Sequence, residues 1–282
     1  MQPENIYLSP AKLNLDLRII GKLPNGYHAL ESIFTLIDLY DTLKIQPRND
    51  TQIVLHTPTV GVPTEQDLTV RAATLLQHFS GSLKGADIWI EKRIPMGGGL
   101  GGGSSNAATV LLVLNHLWGC GLNQQQLIDI GVTLGADVPF FIFGQTAFAR
   151  GVGEQLQAID VPAQHYVLVR PEAHVATPKI FAHPDLPRNS LSNPNPTWVN
   201  LQPLRNDMQA VVLQDYPKVQ AAFAELAKHG EPRMTGSGAC LFLPCESVEQ
   251  TQEIQKMLSE SLQSWCVQAI DKHPLYPLLS NR

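Results

Sequence analysis

Charged residues are scarce in this 282-residue sequence, and neither sign predominates strongly. They make up 16% of the chain, whereas an average domain contains roughly 25%. Twenty Lys and Arg stand against 25 Asp and Glu, for a formal net charge of −5. Proteins that bind nucleic-acid backbones carry a basic face. The charge balance therefore argues against a nucleic-acid-binding function.

Cysteine is scarce as well, with four residues in the whole chain: Cys120, Cys240, Cys245 and Cys266. Four cysteines at scattered positions are too few for a disulfide framework in a chain of this length. Cys240 and Cys245 form one C-x4-C pair, but no histidine stands at zinc-finger spacing from it. We expect core or inert thiols and a reducing, cytoplasmic setting.

Long hydrophobic runs are missing too: no apolar run reaches the roughly 18 residues that a membrane span requires. The first 20 residues include Glu4, Lys12, Asp16 and Arg18, so we expect no signal peptide. Hydrophobic residues make up 44% of the chain, as in an ordinary globular protein. We therefore expect a soluble protein, and its length predicts about two domains.

Hydrophobic periodicity predicts a mixture of strands and helices in the first half. Residues 5–20 alternate as extended structure, interrupted at Ser9-Pro10, and residues 24–26 predict a tight turn. Helical spacing of apolar residues predicts helices over 67–79, 107–118 and 124–134. Alternation predicts a strand over 86–94 that ends at Pro95.

The second half also alternates between helical and extended patterns. We expect strands over 165–170, 240–243 and 265–270, and helices over 204–228 and 248–262. Seven prolines between residues 171 and 203 predict a long, partly irregular excursion. A plausible linker over 160–164 divides the chain into domains 1–160 and 161–282. The order of elements favours an α+β fold over a doubly wound sheet.

Six glycines fill seven positions over residues 97–103, between a predicted strand and a helix predicted to begin near Ser104. Without Cβ atoms, backbone N–H groups can approach an anion closely, and the positive end of a helix favours phosphate. The tract therefore predicts a phosphate cradle. The alternative is a loop that is glycine-rich only because it packs tightly.

This tract does not fit the other common phosphate motifs. No lysine follows the last glycine, so it is not a Walker A loop. The match of Gly97, Gly99 and Gly102 to G-x-G-x-x-G follows from the number of glycines alone. A dinucleotide fold also requires an acidic residue about 20 positions on, where Leu122 and Asn123 stand instead.

The tract and its flanks, PMGGGLGGGSSNAA over residues 95–108, resemble the phosphate-binding motif of the GHMP kinases. Four further segments resemble the branch of that family that acts on 4-diphosphocytidyl-2-C-methyl-D-erythritol: SPAKLNL (9–15), NGYH (25–28), TLGADVPF (133–140) and RMTGSGAC (233–240). The resemblance runs from about Ser9 to Trp265 in the family's order. Together these motifs are highly specific.

The resemblance implies a two-domain GHMP kinase fold. Its N-terminal domain would be similar to ribosomal protein S5, and its C-terminal domain would be ferredoxin-like. It also implies an ATP-dependent kinase that phosphorylates the 2-hydroxyl of the cytidine-linked substrate. The products would be the 2-phosphate and ADP, in non-mevalonate isoprenoid synthesis. Magnesium would accompany ATP.

Lys12 and Asp137 are the candidate catalytic residues. From their sequence surroundings alone, Lys12 could be a solvated surface lysine and Asp137 an N-cap or turn aspartate. A carboxylate in an apolar segment is costly unless it is paired or functional. The resemblance implies that the two form the catalytic pair, with Asp137 as base and Lys12 holding charge and geometry.

The resemblance also implies the residues of the ATP site: Lys92, Pro95, Met96, Gly97, Gly98, Gly99, Leu100, Gly101, Gly102, Gly103, Ser104 and Ser105. Adenine would lie near Lys92 and the start of the helix at Asp67. The family commonly has asparagine where this chain has Asp67, so one adenine contact is expected to differ. Ser104 or Ser105 could offer magnesium a hydroxyl. The histidines show no spacing that predicts a protein-held metal.

For the acceptor substrate, the resemblance implies that cytosine lies between Tyr27 and Phe181. His28 would contact the edge of the base, with Asn14 and Thr177 nearby. From their surroundings alone, Tyr27 is better explained as a core residue and His28 as a surface one.

Three other functions remain open from the sequence. A GHMP kinase could act on another acceptor, such as homoserine or mevalonate. The likeness to a ribosomal-protein fold allows an RNA-binding module, against which the acidic balance argues. A dinucleotide oxidoreductase lacks the ribose-binding acid. The sequence predicts no oligomeric state.

Overall fold

Two long antiparallel strands, β1 (Ile6–Lys22) and β2 (His28–Arg48), form the centre of the computed structural model. The structure describes residues 5–24, 26–59 and 61–280. The expected interruption at Ser9-Pro10 is wrong, because β1 continues through both residues. Its register on β2 instead shifts between Pro10 and Ala11. A bulge absorbs the proline, which has no N–H to donate to the sheet.

The expected turn between these strands is present. Gly26 has a φ of +86°, a conformation open to glycine. Its N–H donates to the carbonyl of Leu23 at 3.0 Å. Asn25, part of the same motif, lies outside the described residues.

The rest of the first half extends this sheet with short strands and adds a layer of helices, one of which packs on the two long strands. In chain order its elements are β3 (Ile53–Leu55), α1 (Leu68–Ser80), β4 (Gly85–Glu91), α2 (Gly102–Trp118), α3 (Gln124–Leu134), α4 (Val138–Phe143), β5 (Ala147–Arg150) and β6 (Gln155–Ala158). α2 contacts both long strands and α1, α3 and α4, so it is buried on most sides. Its position explains why its sequence is apolar with no solvated face. The helix predicted over 124–134 is confirmed, with Asn123 and Gln126 forming a capping box.

The second half contains β7 (His165–Arg170), α5 (Thr177–Ala182), α6 (Gln209–Asp215), α7 (Pro217–Leu226), β8 (Arg233–Met234), β9 (Leu241–Cys245), α8 (Val248–Met257), β10 (Gln263–Ile270) and α9 (Pro277–Ser280). Its strands lie in the order β10-β7-β9-β8. All neighbouring pairs in that order are antiparallel. This is the arrangement of a ferredoxin-like βαββαβ unit.

One sheet runs through both halves, because β10 pairs with β7 and also with β2. Apolar side chains of β1, among them Leu13 and Leu15, share a buried cluster with Leu168 of β7 and Phe242 of β9. The two halves are therefore joined by hydrogen bonds and by core packing. The domain boundary near residue 160 and the likeness of the first half to ribosomal protein S5 remain predictions.

Several predicted elements differ from the structure. The single helix over 204–228 is wrong: Tyr216 separates α6 from α7, and Pro217 begins α7, because proline cannot continue a helix from within. The strand expected to reach Pro95 ends at Glu91. Beyond it, the N–H groups of Arg93 and Ile94 donate to the carboxylate of Asp41, at 2.7 and 2.9 Å, and not to a neighbouring strand. α8 ends at Met257, five residues before the predicted end.

The four cysteines are free thiols. Cys240 and Cys245 are buried, and burial raises the pKa of the Cys240 thiol to about 12. A thiol with so high a pKa is unreactive at neutral pH. Cys240 acts as a small core residue against Gly98, as its sequence surroundings predicted. Among the helices of the described residues, none is long and apolar enough to cross a membrane.

Candidate active site

The glycine loop, residues 97–103, lies between two cavities. The smaller cavity, of about 380 Å³, is bounded by this loop, the start of α1 and the segment after β4. The larger cavity, of about 1120 Å³, lies between β1, β2, α5 and the loop that follows β8. Gly97, Gly99 and Ser104 line both cavities. A ligand in the smaller cavity and one in the larger would therefore meet at the loop.

The smaller cavity brings together most of the residues predicted to bind ATP. Lys92 and all the residues from Pro95 to Ser104 line it. Lys92 forms an ion pair with Asp41, a carboxylate that is completely buried in β2. This pairing holds the lysine at the cavity wall.

Asp67 also lines the smaller cavity, but its carboxylate serves α1 as N-cap. One oxygen accepts from the N–H and the hydroxyl of Thr69, and the other accepts from the Thr59 hydroxyl at 3.0 Å. Aspartate caps helices as well as asparagine does. This local role accounts for an aspartate at the start of α1.

Backbone conformation and packing both require glycine in the loop. Gly97, Gly99 and Gly101 have φ values of +70°, +76° and +72°. A Cβ on Gly99 would lie 2.3 Å from the carbonyl oxygen of Thr235, and one on Gly98 would lie 2.4 Å from Sγ of Cys240. Packing therefore accounts for part of the glycine content, as the alternative interpretation expected.

The start of α2 has the geometry expected of an anion site. Gly101 occupies the N-cap position of α2 and has no side chain with which to cap it. Free N–H groups at the start of a helix, with the helix dipole, favour a phosphate group. The 17-residue α2 thus points its N-terminus at the loop between the two cavities.

The two serines of the motif have different surroundings. Ser105 is fully buried and accepts a hydrogen bond from the Ser9 hydroxyl at 2.7 Å. Ser104 is half-buried and lines both cavities. Of the two, only Ser104 has a hydroxyl placed to meet a ligand.

Lys12 and Asp137 face each other at the floor of the larger cavity. Lys12 Nζ lies 3.6 Å from Asp137 Oδ2, and their side chains are 3% and 33% exposed. The alternative of a solvated surface lysine is therefore wrong. Asp137 does stand at the N-cap position of α4, but its side chain makes no capping hydrogen bond. Its carboxylate is turned to Lys12 and the cavity.

Burial governs the charge of Lys12. Burial lowers the pKa of its ammonium, and the neighbouring Asp137 carboxylate opposes that shift. The ammonium also donates to Oδ1 of Asn14 at 2.6 Å and lies 5.2 Å from the centre of the Phe34 ring. Lys12 thus depends on its immediate partners to remain charged.

Asn14 joins the lysine to the second half of the chain. Its amide donates to the Ser32 hydroxyl at 2.9 Å, and its backbone N–H donates to Oγ1 of Thr235 at 3.0 Å. Thr235 in turn donates to the carbonyl of Gly99 at 3.2 Å. The predicted residues Lys12 and Asn14 are therefore held in one network with the glycine loop.

Sequence reasoning missed several residues at this site. Phe34 lies under Lys12, Thr235 links β1 to the glycine loop, and His174 lies beside Gly97 in the larger cavity. Thr235 stands in one of the quoted motifs and could have been singled out there. Phe34 and His174 carry no signal of their own, because their position follows from strand pairing and a loop path.

The residues predicted to bind cytosine line the other end of the larger cavity. Tyr27 is 65% exposed, so it is not a core residue. His28 stacks on Phe181, with ring centroids 5.0 Å apart and planes inclined by 17°. A base stacked on Phe181 therefore requires its other face or a movement of His28. Thr177 is hydrogen-bonded to the Ser237 hydroxyl at 2.6 Å.

Comparisons with known proteins agree with the family resemblance of the motifs. The family model described as GHMP kinases N terminal domain matches residues 67–145. A 4-diphosphocytidyl-2-C-methyl-D-erythritol kinase of Neisseria meningitidis serogroup B is 55% identical over 269 residues, which are 95% of this chain and 96% of the relative. The chain belongs to the 4-diphosphocytidyl-2-C-methyl-D-erythritol kinase family. A Chromobacterium violaceum kinase of the same name is 48% identical and covers 97% of this chain.

Solved structures agree with this family. A crystal structure of a 4-(cytidine 5'-diphospho)-2C-methyl-D-erythritol kinase matches with a TM-score of 0.81 and 30% identity, over 94% of this chain and 98% of that one. A mevalonate kinase matches with a TM-score of 0.67 at 14% identity, which shows a shared fold. The α+β GHMP kinase fold expected from the motifs is confirmed. This chain is an ATP-dependent kinase.

The loop of this kinase allows a matched pair of substitutions. Gly99→Ala places a Cβ against the Thr235 carbonyl at a positive φ. We expect it to lower the free energy of unfolding by roughly 2–5 kcal/mol. Gly103→Ala meets only Leu68 Cδ1, at 3.7 Å, in the first turn of α2. It should leave stability unchanged or raise it by about 0.5–1 kcal/mol.

Urea unfolding of the two variants measures this difference. Equal losses in both would show that the loop does not depend on the contact between Gly99 and Thr235.

Proposed function

We propose that this chain transfers the γ-phosphoryl group of ATP to the 2-hydroxyl of 4-diphosphocytidyl-2-C-methyl-D-erythritol, a step of non-mevalonate isoprenoid synthesis. The observation that carries the proposal is the glycine loop, shared by two cavities, with Lys12 and Asp137 at the floor of the larger one. ATP in the smaller cavity would present its phosphates at the loop. The acceptor in the larger cavity would present its hydroxyl to the pair.

The chemistry follows from the two side chains. The Asp137 carboxylate accepts the proton of the acceptor hydroxyl, while the oxygen of that hydroxyl bonds to the γ-phosphorus. The bond from that phosphorus to the bridging oxygen breaks, and ADP leaves with the electron pair. The Lys12 ammonium neutralises charge on the transferred group, while the amides of the loop and the start of α2 hold the phosphates.

Magnesium fits this site as a partner of the ATP phosphates. Two side chains with oxygen donors near the loop, the Ser104 hydroxyl and the Asp137 carboxylate, line the larger cavity. Magnesium prefers oxygen ligands and is commonly bound by one or two protein groups together with phosphates. Ser104 or Asp137 would hold it there, and the ion would neutralise phosphate charge.

Cytidine recognition belongs to the far end of the larger cavity. Tyr27, His28 and Phe181 offer aromatic faces and a ring with hydrogen-bonding nitrogens. Aromatic rings stack on bases, and imidazole nitrogens bond to base edges. The acceptor is thereby bound across both halves of the chain.

The direct experiment mixes purified protein and Mg-ATP with the cytidine-linked substrate, homoserine or mevalonate, each in a separate reaction. We expect ADP and a phosphorylated product with the cytidine-linked substrate alone. Mass spectrometry and ³¹P NMR identify the 2-phosphate. Turnover of homoserine or mevalonate in its place contradicts the proposal. Asp137→Asn protein serves as control for a contaminating kinase.

A further inference from the structure

Arg188, in the proline-rich segment after α5, contacts both members of the stacked pair at the far end of the larger cavity. Its Nε donates to Nε2 of His28 at 3.2 Å. One Nη2 hydrogen bond goes to the carbonyl of Phe181 at 2.9 Å. Arg188 does not itself appear among the described residues that line the cavity.

The rest of the guanidinium is also bonded. Nη2 donates to the carbonyl of His183 at 2.8 Å, and Nη1 donates to the carbonyl of Leu186 at 3.0 Å. Four hydrogen bonds therefore hold one planar group, and three of them are accepted by the carbonyls of Phe181, His183 and Leu186. Lysine cannot reproduce this fork, because its ammonium is a single point charge on a flexible stem.

This contact decides which nitrogen of His28 carries the proton. Arginine has only donors, so Nε2 of His28 must accept. In a neutral imidazole the proton then lies on Nδ1. Burial, and next the positive charges of Arg188 and of Lys22 on β1, lower the pKa of His28, so the ring is neutral at physiological pH. No described residue is hydrogen-bonded to Nδ1, which is left to donate to a ligand.

A donor at this position distinguishes the two pyrimidines. Cytosine has an acceptor at N3, whereas uracil has an N–H there. A neutral imidazole with its proton on Nδ1 can donate a hydrogen bond to N3 of cytosine. Against uracil, the same N–H would face the N3–H, and two donors cannot bond to each other. We infer that Arg188 is a positioning residue that makes His28 a hydrogen-bond donor and thereby makes the site prefer cytosine over uracil. The inference rests on the proposed function, which places the base at His28.

The experiment measures binding of CDP and UDP by calorimetry, with excess ADP filling the smaller cavity. We expect wild-type protein to prefer CDP. Arg188→Met and Arg188→Lys should each weaken CDP binding roughly fivefold to twentyfold, as for a lost hydrogen bond with a misplaced partner. UDP binding should not weaken, because the freed ring can present Nδ1 as an acceptor to the N3–H of uracil. The preference for CDP should therefore fall by at least the same factor.

Arg150→Lys is the matched control. Arg150 also donates to carbonyls of the proline-rich segment, those of Asn193 and Pro194, at 2.7 and 3.2 Å. It makes no hydrogen bond to His28. If anchoring of the segment alone were responsible, Arg150→Lys would reduce the base preference as Arg188→Lys does. We expect its preference to match that of the wild type.

A double substitution tests whether Arg188 acts through His28. His28→Phe keeps a ring on Phe181 but removes both nitrogens. Adding Arg188→Met to it should cause no further loss of base preference, since coupled residues are not additive. An unchanged CDP preference in the Arg188 variants, or a full additional loss in the double variant, would overturn the inference.

The two proposals can fail separately. Base preference is measured without turnover, so it tests Arg188 even if the acceptor differs. Failure of the turnover experiment, together with an intact CDP preference that Arg188 controls, would contradict the acceptor assignment alone.

Discussion

Asp137→Asn is expected to lower kcat by roughly 10²- to 10⁴-fold, the range for loss of a general base. The amide has the size of the carboxylate but cannot take the proton of the acceptor hydroxyl. Because the side chain is one-third exposed and makes no capping bond to α4, its replacement should leave the fold intact. The Kd for ATP should change little, since we propose that ATP binds along the loop and in the smaller cavity.

The same substitution also changes Lys12. The Asp137 carboxylate raises the pKa of the buried Lys12 ammonium, so its removal should lower that pKa further. The alkaline limb of the residual activity should therefore move to lower pH in Asp137→Asn. Single-turnover kinetics over a pH series measure both effects. A near-normal kcat would show that transfer needs charge alone and no base.

Lys12→Met is expected to lower kcat by roughly 10²- to 10³-fold, as when one charge-stabilising donor is removed from a water-excluded site. Methionine fills the volume of the lysine stem over Phe34 without a charge. Asp137 keeps access to water, so it tolerates loss of its partner. Circular dichroism and the melting temperature should show a folded protein.

Lys92→Met is the matched comparison for Lys12→Met. Both lysines are paired with an aspartate, but Lys92 lines the smaller cavity and Lys12 the larger. We expect Lys92→Met to raise the KM for ATP more than it lowers kcat, and Lys12→Met to do the reverse. If both variants lost only ATP affinity, Lys12 would be a binding residue.

The pH dependence of kcat in the wild type follows from the direction in which burial shifts the pKa of Lys12. Burial lowers the pKa of Lys12 from its ordinary value near 10.5. The cation is therefore present at low pH and is lost as pH rises, earlier than for an exposed lysine. kcat should fall along an alkaline limb that Lys12→Met lacks.

Periodicity and turn chemistry were enough to locate most of the elements. α3 matches its predicted bounds, and Asp67 stands at the start of α1 as expected. These elements depend on local sequence: apolar spacing, a capping residue and glycine or proline at the ends. The prediction of a single helix over 204–228 failed because it gave the apolar spacing on both sides more weight than the proline at its centre.

The identity of the site also came from the sequence, since five motifs in order indicate the family. Their individual roles did not follow from spacing. Lys12 and Asp137 are 125 positions apart, and each had an ordinary alternative. Only the packing of β1 against the start of α4 brings Lys12 Nζ to 3.6 Å from Asp137 Oδ2 and excludes water from the lysine.

The sequence also did not decide which of Ser104 and Ser105 faces a cavity. Adjacent residues on a helix point in different directions. Which of them faces a cavity depends on the neighbour that covers the other, here Ser9 on β1.

The amino-acid sequence by itself determined the α+β class, most element positions, the phosphate loop and the family. The tertiary structure decided which residues meet: Lys12 with Asp137, Thr235 with Gly99, and Arg188 with His28. Spacing along the chain encodes local geometry, whereas the charge, tautomer and access of a side chain depend on atoms that distant segments bring to it. The proposed substitutions test these contacts between distant segments.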